Sequence, residues 1–267
     1  MDLHLIDRGG FYADINFGLD AEVVATQSEP SPELRREYFP VWNLVIDHPE
    51  ATVLWDTGSH PDAGDGYWDD ELFDAFAHTD ADEHDLETSL NEVGFAIEDI
   101  DVVVQSHLHI DHAGGLYNLN GTDVPVYVHR RELEHAYLSA KTDEGGGGYV
   151  ASDFDHDLKW RVVHGDRQLL PGVELLHLPG HTPGFLGAHI ERNGDGEEDN
   201  DDVLIAGDTA FVAENYEEGR EMGTSIFHSL RDLHESRRRL KEIERRTDVT
   251  VLYGHDPDQF DDMPRKI

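Results

Sequence analysis

Residues 106–115 read SHLHIDHAGG, which places His107, His109, Asp111 and His112 in one short loop. The preceding run, IDVVVQ at 100–105, is apolar and β-branched and predicts a buried strand. Gly114 and Gly115 follow and open a further apolar run. These potential ligands therefore fall at the carboxyl end of a strand, where open α/β sheets carry their active sites. Imidazole nitrogen with carboxylate oxygen suits zinc, and also iron or manganese. A loop can turn His107 and His109 toward one ion and Asp111 and His112 toward a second. The bland alternative is a histidine-rich loop making ordinary hydrogen bonds; the density of ligand-type residues argues against it.

The same grammar recurs downstream. VELLHL at 173–178 predicts a strand, and the turn PGHTPG that follows holds His181. VLIAG predicts another, followed by Asp208; VTVLY predicts a third, followed by Gly254 and His255. Earlier in the chain, ATVLW runs into Asp56, Thr57 and Gly58. A glycine beside each of these residues lets backbone come close to a site and holds the side chain rigidly.

These stretches resemble the metallo-β-lactamase superfamily. HLHIDH matches its HxHxDH signature, and His181, Asp208 and His255 match its later ligand positions. Within the superfamily the chain is most similar to the N-acyl-homoserine lactonases. VWNLVIDHPEATVLWDTG, SHLHIDHAGG, PGVELLHLPGHTPG and GDTAFVAENYEEG, then a long basic helix and LYGHD, stand in the lactonase order over nearly the whole length. The resemblance implies an αβ/βα sandwich of two mixed sheets with helices outside. It implies two divalent metal ions, with zinc favoured and iron or manganese possible alternatives. His107, His109 and His181 would hold the first; Asp111, His112 and His255 would hold the second. Asp208 would bridge them, with a hydroxide bridging on the open side. Asp111 would also pass a proton to the leaving alkoxide, so Asp111 and Asp208 are the expected catalytic residues. Asp56 would orient the ligand loop by hydrogen bonds or serve as an ordinary turn aspartate.

The implied function is metal-dependent opening of a lactone or related ester, a small-molecule substrate. A glyoxalase II-like thioesterase uses the same ligands and is the alternative, with a non-hydrolytic di-metal protein behind it. One position departs from the lactonases. They carry Tyr three residues after the bridging Asp, where this chain has Phe211. Phe has no hydroxyl to donate to a developing oxyanion. Tyr216 and Tyr253 are the candidates to supply one from another direction.

Composition bounds the setting. The chain has 267 residues, 58 acidic and 20 basic, for a formal charge of −38, and no Cys. Only Lys141, Lys159, Lys241 and Lys266 are lysines. Such an excess strains a folded domain by self-repulsion, which concentrated salt screens to a Debye length of about 3 Å at 1 M. The expectation is a salt-rich cytoplasm. The charge excludes nucleic acid as a favoured partner, because phosphates are repelled. MDLHLIDRGG lacks the basic start and apolar core of a signal peptide, and no run has the length of a membrane span. Oligomeric state is open.

Strands are further expected at LHLID, VWNLVID, VPVYVH and FLGAHI. Helical stripes fill the gaps. DDELFDAFAH carries Leu72, Phe73 and Phe76; HDLETSLNEVG carries Leu86, Leu90 and Val93, with Gly94 as its cap. RRELEHAYLSA carries Leu133, Ala136, Tyr137 and Ala140, and the basic helix from Ser229 carries Leu230, Leu233, Leu240 and Ile243. Strands mixed with helices throughout give an α/β class, and no linker divides the single domain expected over 1–267. The acidic segment 193–202 reads as a solvated hairpin loop rather than a calcium loop, lacking EF-hand spacing. DEGGGGY at 143–149 reads as a surface loop or a border of the substrate mouth. His129, His135, His177, His228 and His234 fall within strand or helix patterns and read as structural or solvated.

The charge generates a prediction. The melting temperature is expected to rise from low to molar potassium chloride as carboxylate repulsion is screened. A melt that stays flat across that range overturns the salt adaptation and leaves the metal chemistry untouched.

Overall fold

The strands that carry the motifs are buried on both faces, and this explains why they lack a polar–apolar alternation. Successive side chains of a strand point to opposite sides of its sheet. Leu44 and Ile46 enter the central core while Val45 enters an outer one; Val53 and Trp55 alternate with Leu54 in the same way. Leu175 and Ile205 face the centre while Leu176, Leu204 and Ala206 face outward. The computed structural model describes residues 1–142, 147–192 and 202–267.

The first sheet runs in the order β1 (Asp2–Asp14), β2 (Arg36–His48), β3 (Ala51–Trp55), β4 (Val102–Val104), β5 (Pro125–His129) and β6 (Lys159–Val163). Its first three strands are antiparallel, and β3 to β6 are parallel. The second sheet contains β7 (Arg167–Leu170), β8 (Val173–His177), β9 (Leu186–Ile190), β10 (Asp202–Gly207) and β11 (Val249–Tyr253), in the order β11-β10-β9-β8-β7. There β10 and β11 are parallel and the other pairs antiparallel.

The sheets pack face to face through Leu3, Leu5, Leu44, Trp55, Leu175, Leu186, Val203 and Leu252. Helices cover the outer faces. Leu86 and Leu90 of the Leu86–Glu92 helix and Ala136 of the Arg130–Lys141 helix pack on the first sheet with Val103, Val126 and Val128. Leu240 of the Leu230–Glu244 helix packs on the second with Leu204, Ala206 and Val251. This is the αβ/βα sandwich the resemblance implied.

Some local readings change. The strand expected over 100–105 contracts to Val102–Val104, because Gln105 and Ser106 already turn into the ligand loop. β6 and β7 carry no apolar pattern that marks them in the sequence; they are edge strands, and Arg161, Arg167 and Gln168 are exposed. The helix expected over 69–78 is only Asp70–Ala75, with Phe76 leaving helical geometry. Leu230, expected to face inward, opens its helix and is exposed. Gly94 does follow its helix in a left-handed conformation, φ +88°. Residues 193–201 of the acidic segment and 143–146 of the glycine-rich segment lie outside the described residues. No described helix is long and apolar enough to cross a membrane.

Candidate metal centre

The ligand-type residues named from the sequence come together at one end of the sandwich, where β4, β8, β10 and β11 stop. His107 Nε2, His109 Nδ1 and His181 Nε2 form a triangle with sides of 3.0, 3.0 and 3.2 Å. Beside it, Asp111 Oδ2 lies 3.6 Å from His112 Nε2 and 3.5 Å from His255 Nε2. Asp208 stands between the two groups. Its Oδ2 is 3.2 Å from His181 Nε2 and 3.7 Å from both His107 and His112 Nε2, while its Oδ1 is 3.4 Å from His255 Nε2.

Protein atoms alone do not satisfy this arrangement. Each nitrogen of the triangle is either a donor or an acceptor, so at least two of the three are alike and face each other unpaired. His112 Nε2, His255 Nε2 and Asp208 Oδ1 are buried without a hydrogen-bond partner. Each such group costs about 1–3 kcal/mol. Imidazole nitrogens about 2.0–2.1 Å from a tetrahedral ion stand about 3.3 Å apart, close to the triangle seen here. The residues present therefore fit a pair of divalent cations, one per group, with Asp208 able to reach both.

Electrostatics agree. Burial, reinforced by neighbouring histidines, pushes His107 and His109 well below the usual imidazole range, which leaves them neutral with lone pairs available. Burial acts the same way on His112, but Asp111, Asp208 and Asp56 outweigh it and raise it well above the usual range, so a cation bound beside it would take the place of its proton. Burial would raise Asp208, yet His255, His112 and His181 keep its carboxyl well below the usual range.

The ligand-type side chains are themselves held. Asp56 Oδ1 accepts from the Ser106 backbone N–H at 2.7 Å; its Oδ2 accepts from the Ser106 hydroxyl at 2.7 Å and meets His112 Nδ1 at 2.9 Å. Asp56 thus orients the loop and is not merely a turn residue, and it does so from a left-handed conformation, φ +57°. The buried Arg8 guanidinium steadies this turn by donating to Thr57 O at 2.5 Å and Asn43 Oδ1 at 2.8 Å. Gly114 is required where the two loops touch: a Cβ there would meet the His60 backbone nitrogen at 2.1 Å. His255 Nδ1 bonds Pro40 O at 2.9 Å.

A cavity of ≈ 270 Å³ opens onto this centre. His109, Asp111, His181 and Asp208 line it on one side; Phe11, Phe17, Leu72, Phe76, Phe211 and Ile226 make the apolar wall. Tyr216 and Tyr253 do not reach it. Their hydroxyls bond Glu244 at 3.0 Å and Glu217 at 2.6 Å, in the core behind the second sheet. The expectation that either replaces the missing tyrosine hydroxyl is therefore overturned; among the described residues lining the cavity, the one that bears a hydroxyl is Ser225. Gly147 and Gly148 of the glycine-rich segment do border the mouth. The histidines read as structural stay outside the two groups: His129 stacks on His177 at 3.9 Å and His234 bonds Glu221.

Sequence reasoning missed Arg8, Glu132, and Phe11 and Phe17 of the cavity wall. Phe11 and Phe17 sit in or just after β1, far from any motif. Glu132 alone carried a signal, an acidic residue one turn before Ala136 on an apolar helix stripe.

The sequence model of the metallo-beta-lactamase superfamily matches residues 36–255. An N-acyl homoserine lactonase of a Bacillus species is 33% identical over 225 residues, covering 82% of each chain. N-acyl homoserine lactonase AiiB of Agrobacterium fabrum is 29% identical over 269 residues, 97% of this chain and 94% of its own. A solved N-acyl homoserine lactone hydrolase with N-hexanoyl-L-homoserine at its catalytic metal centre superposes with a TM-score of 0.79 at 26% identity, covering 98% of this chain and 96% of its own.

The geometry sets a metal-content prediction. The purified protein is expected to hold about two divalent ions per chain. Asp208→Ala should lose both, because one carboxylate reaches both groups, whereas His109→Ala should lose mainly one. Elemental analysis after dialysis checks this, and two ions retained by Asp208→Ala would remove the shared role.

Proposed function

The chain belongs to the metallo-β-lactamase superfamily, and on that premise we propose that it is a dinuclear metal-dependent hydrolase that opens N-acyl homoserine lactones, its whole length acting as one domain. The observation that carries the reading is the Asp208 carboxylate set between two ligand groups at the floor of an apolar cavity. Zinc is the proposed metal: imidazole with carboxylate is its ordinary donor set, which iron and manganese share in part. The relatives' names support the lactone. So does the aromatic wall, since each methylene of an acyl tail buried there contributes about 0.8 kcal/mol. The lactone is neutral, so a charge of −38 does not repel it. That charge also motivates a salt-rich cytoplasm as the working compartment.

A pair of divalent ions held by His107, His109, His181, Asp111, His112, His255 and Asp208 would make hydroxide available near neutral pH and would polarise the lactone carbonyl. The chain's own groups do the rest. Asp111 lines the cavity with its carboxylate and is placed to take a proton from the attacking water and return it to the ring oxygen as the acyl C–O bond breaks. The product is the open hydroxy acid. The phenylalanine wall holds the acyl tail and keeps bulk water from the reacting bond. Phe211 packs its ring 4.3 Å from His255 and lines the cavity beside Asp208, so it presents shape without a donor.

Two experiments test the reading. Zinc-loaded protein in molar potassium chloride is assayed on short- and long-chain N-acyl homoserine lactones, simple esters and acyl thioesters. Chelator-sensitive lactone opening that favours long chains is expected; thioester turnover without lactone turnover would overturn the substrate in favour of the glyoxalase II-like alternative. Phe211→Tyr is expected to raise lactone turnover toward the about 10²–10³-fold that one oxyanion donor is worth, with metal content unchanged. No gain, together with fast turnover by the parent, would show that another donor such as the Ser225 hydroxyl is already in place.

A further inference from the structure

Glu132 is a carboxylate in the wrong solvent. It sits at the start of the Arg130–Lys141 helix, on the face that packs against the first sheet, and is fully buried. A buried ionised carboxylate is costly unless its oxygens are filled with donors. Its partners are neutral donors from loops distant in sequence. Oε1 accepts from the Leu108 backbone N–H at 3.0 Å and the Tyr149 hydroxyl at 2.9 Å; Oε2 accepts from the Thr182 hydroxyl at 2.5 Å.

The identity of the donors is what matters. Leu108 stands between His107 and His109. Thr182 follows His181. The Tyr149 ring lies 4.4 Å from the His109 ring. One side chain thus holds a neighbour of each histidine in the triangle, and none of its hydrogen bonds among the described residues goes to a neighbour of Asp111, His112 or His255. Backbone contact reinforces the tie: a Cβ on Gly184 would meet the Glu132 backbone nitrogen at 2.1 Å. The loop after β8 is therefore pressed onto the start of this helix.

We propose that Glu132 is a positioning residue for the first metal ion: it locks the loop after β4 to the loop after β8 so that His107, His109 and His181 converge on one cation. The proposal rests on the reading of those histidines as ligands. A carboxylate is the side chain this task needs, because its two oxygens offer about four acceptor sites and no donor. Glutamine keeps the shape but removes the charge and turns one end into a donor, so the Thr182 hydroxyl opposite Oε2 must reverse to accept and the bonds from Leu108 and Tyr149 lose their charge assistance.

The test is zinc affinity of the full chain, measured by competition with a chromophoric chelator, alongside the cobalt(II) spectrum and the melting temperature of the metal-free protein. Glu132→Gln is expected to weaken one of the two sites about 10- to 100-fold, the usual effect of losing an orienting partner, and to leave the other unchanged. Combined with His109→Ala, it should cause no further loss, because both act on the same site. The cobalt absorption of one ion should change while that of the other persists. Thr182→Val and Tyr149→Phe each remove one donor and are expected to weaken the same site by less; they carry the test if Glu132→Gln does not fold. Parental affinity at both sites in all three variants overturns the positioning role. So does an equal loss at both sites that tracks a lowered melting temperature, which is what a purely structural carboxylate would give. A parent chain that binds no pair of ions refutes the ligand reading itself, and the positioning role falls with it.

Discussion

The arrangement depends on keeping the Asp208 carboxylate charged in a place without water. It is 2% exposed, at the end of a central strand, and burial alone would favour its protonated form. His255, His112 and His181, all within 3.7 Å, hold it ionised. Those histidines are in turn too close to one another to satisfy their own nitrogens. The cluster is frustrated as a set of protein atoms, and a pair of cations would resolve it, which is a physical reason for its composition. It also explains the sandwich around it. Side chains that repel or desolvate one another stay converged only when their backbones cannot move apart, and strand ends in two packed sheets provide that rigidity.

Three buried polar residues extend the rigidity outward, each to a different part. Asp56 fixes Ser106 and His112 through its carboxylate. Arg8 fixes the turn that carries Asp56. Glu132 fixes the loops holding His107, His109 and His181. None is a surface ion pair worth a few tenths of a kcal/mol. Each is buried with several hydrogen bonds, so removing one leaves its partners unsatisfied, at about 1–3 kcal/mol for each group. The glycine at 114 serves the same end by letting two loop backbones touch.

The cavity adds the other half of the chemistry. Its wall of phenylalanines comes from β1, the segments after it and the turn after Asp208, so the apolar side and the ligand side are built by different parts of the chain. Phe211 belongs to both: it follows Asp208 closely in sequence and packs on His255. An apolar wall beside a polar floor selects a substrate with a greasy tail and a carbonyl head, and the acidic surface stays outside that choice.

Much of this was legible in the chain. The strands that lead to His181, Asp208 and His255 are short apolar runs followed by glycine, and the one that leads to His107 is a β-branched run, so local chemistry suffices to mark them. The ligand-type residues were legible for the same reason: His, Asp and Gly at strand ends are locally conspicuous. The Gly94 cap was legible because only the φ of one residue is involved. Tertiary structure alone decided the rest. β6 and β7 were hard to read because each is a short edge strand with exposed polar residues, and only Val163, Leu169 and Leu170 reach the central core. The Phe76 and Leu230 assignments moved because helix ends depend on what the neighbouring chain covers. Tyr216 and Tyr253 were near in sequence to the centre but point behind the second sheet, and sequence distance carries no direction. Arg8 looks like an ordinary surface charge, and Glu132 shows only its place on an apolar stripe, until loops from elsewhere in the chain close over them. Local pattern fixes which residues can serve, whereas which of them meet is set by long-range packing.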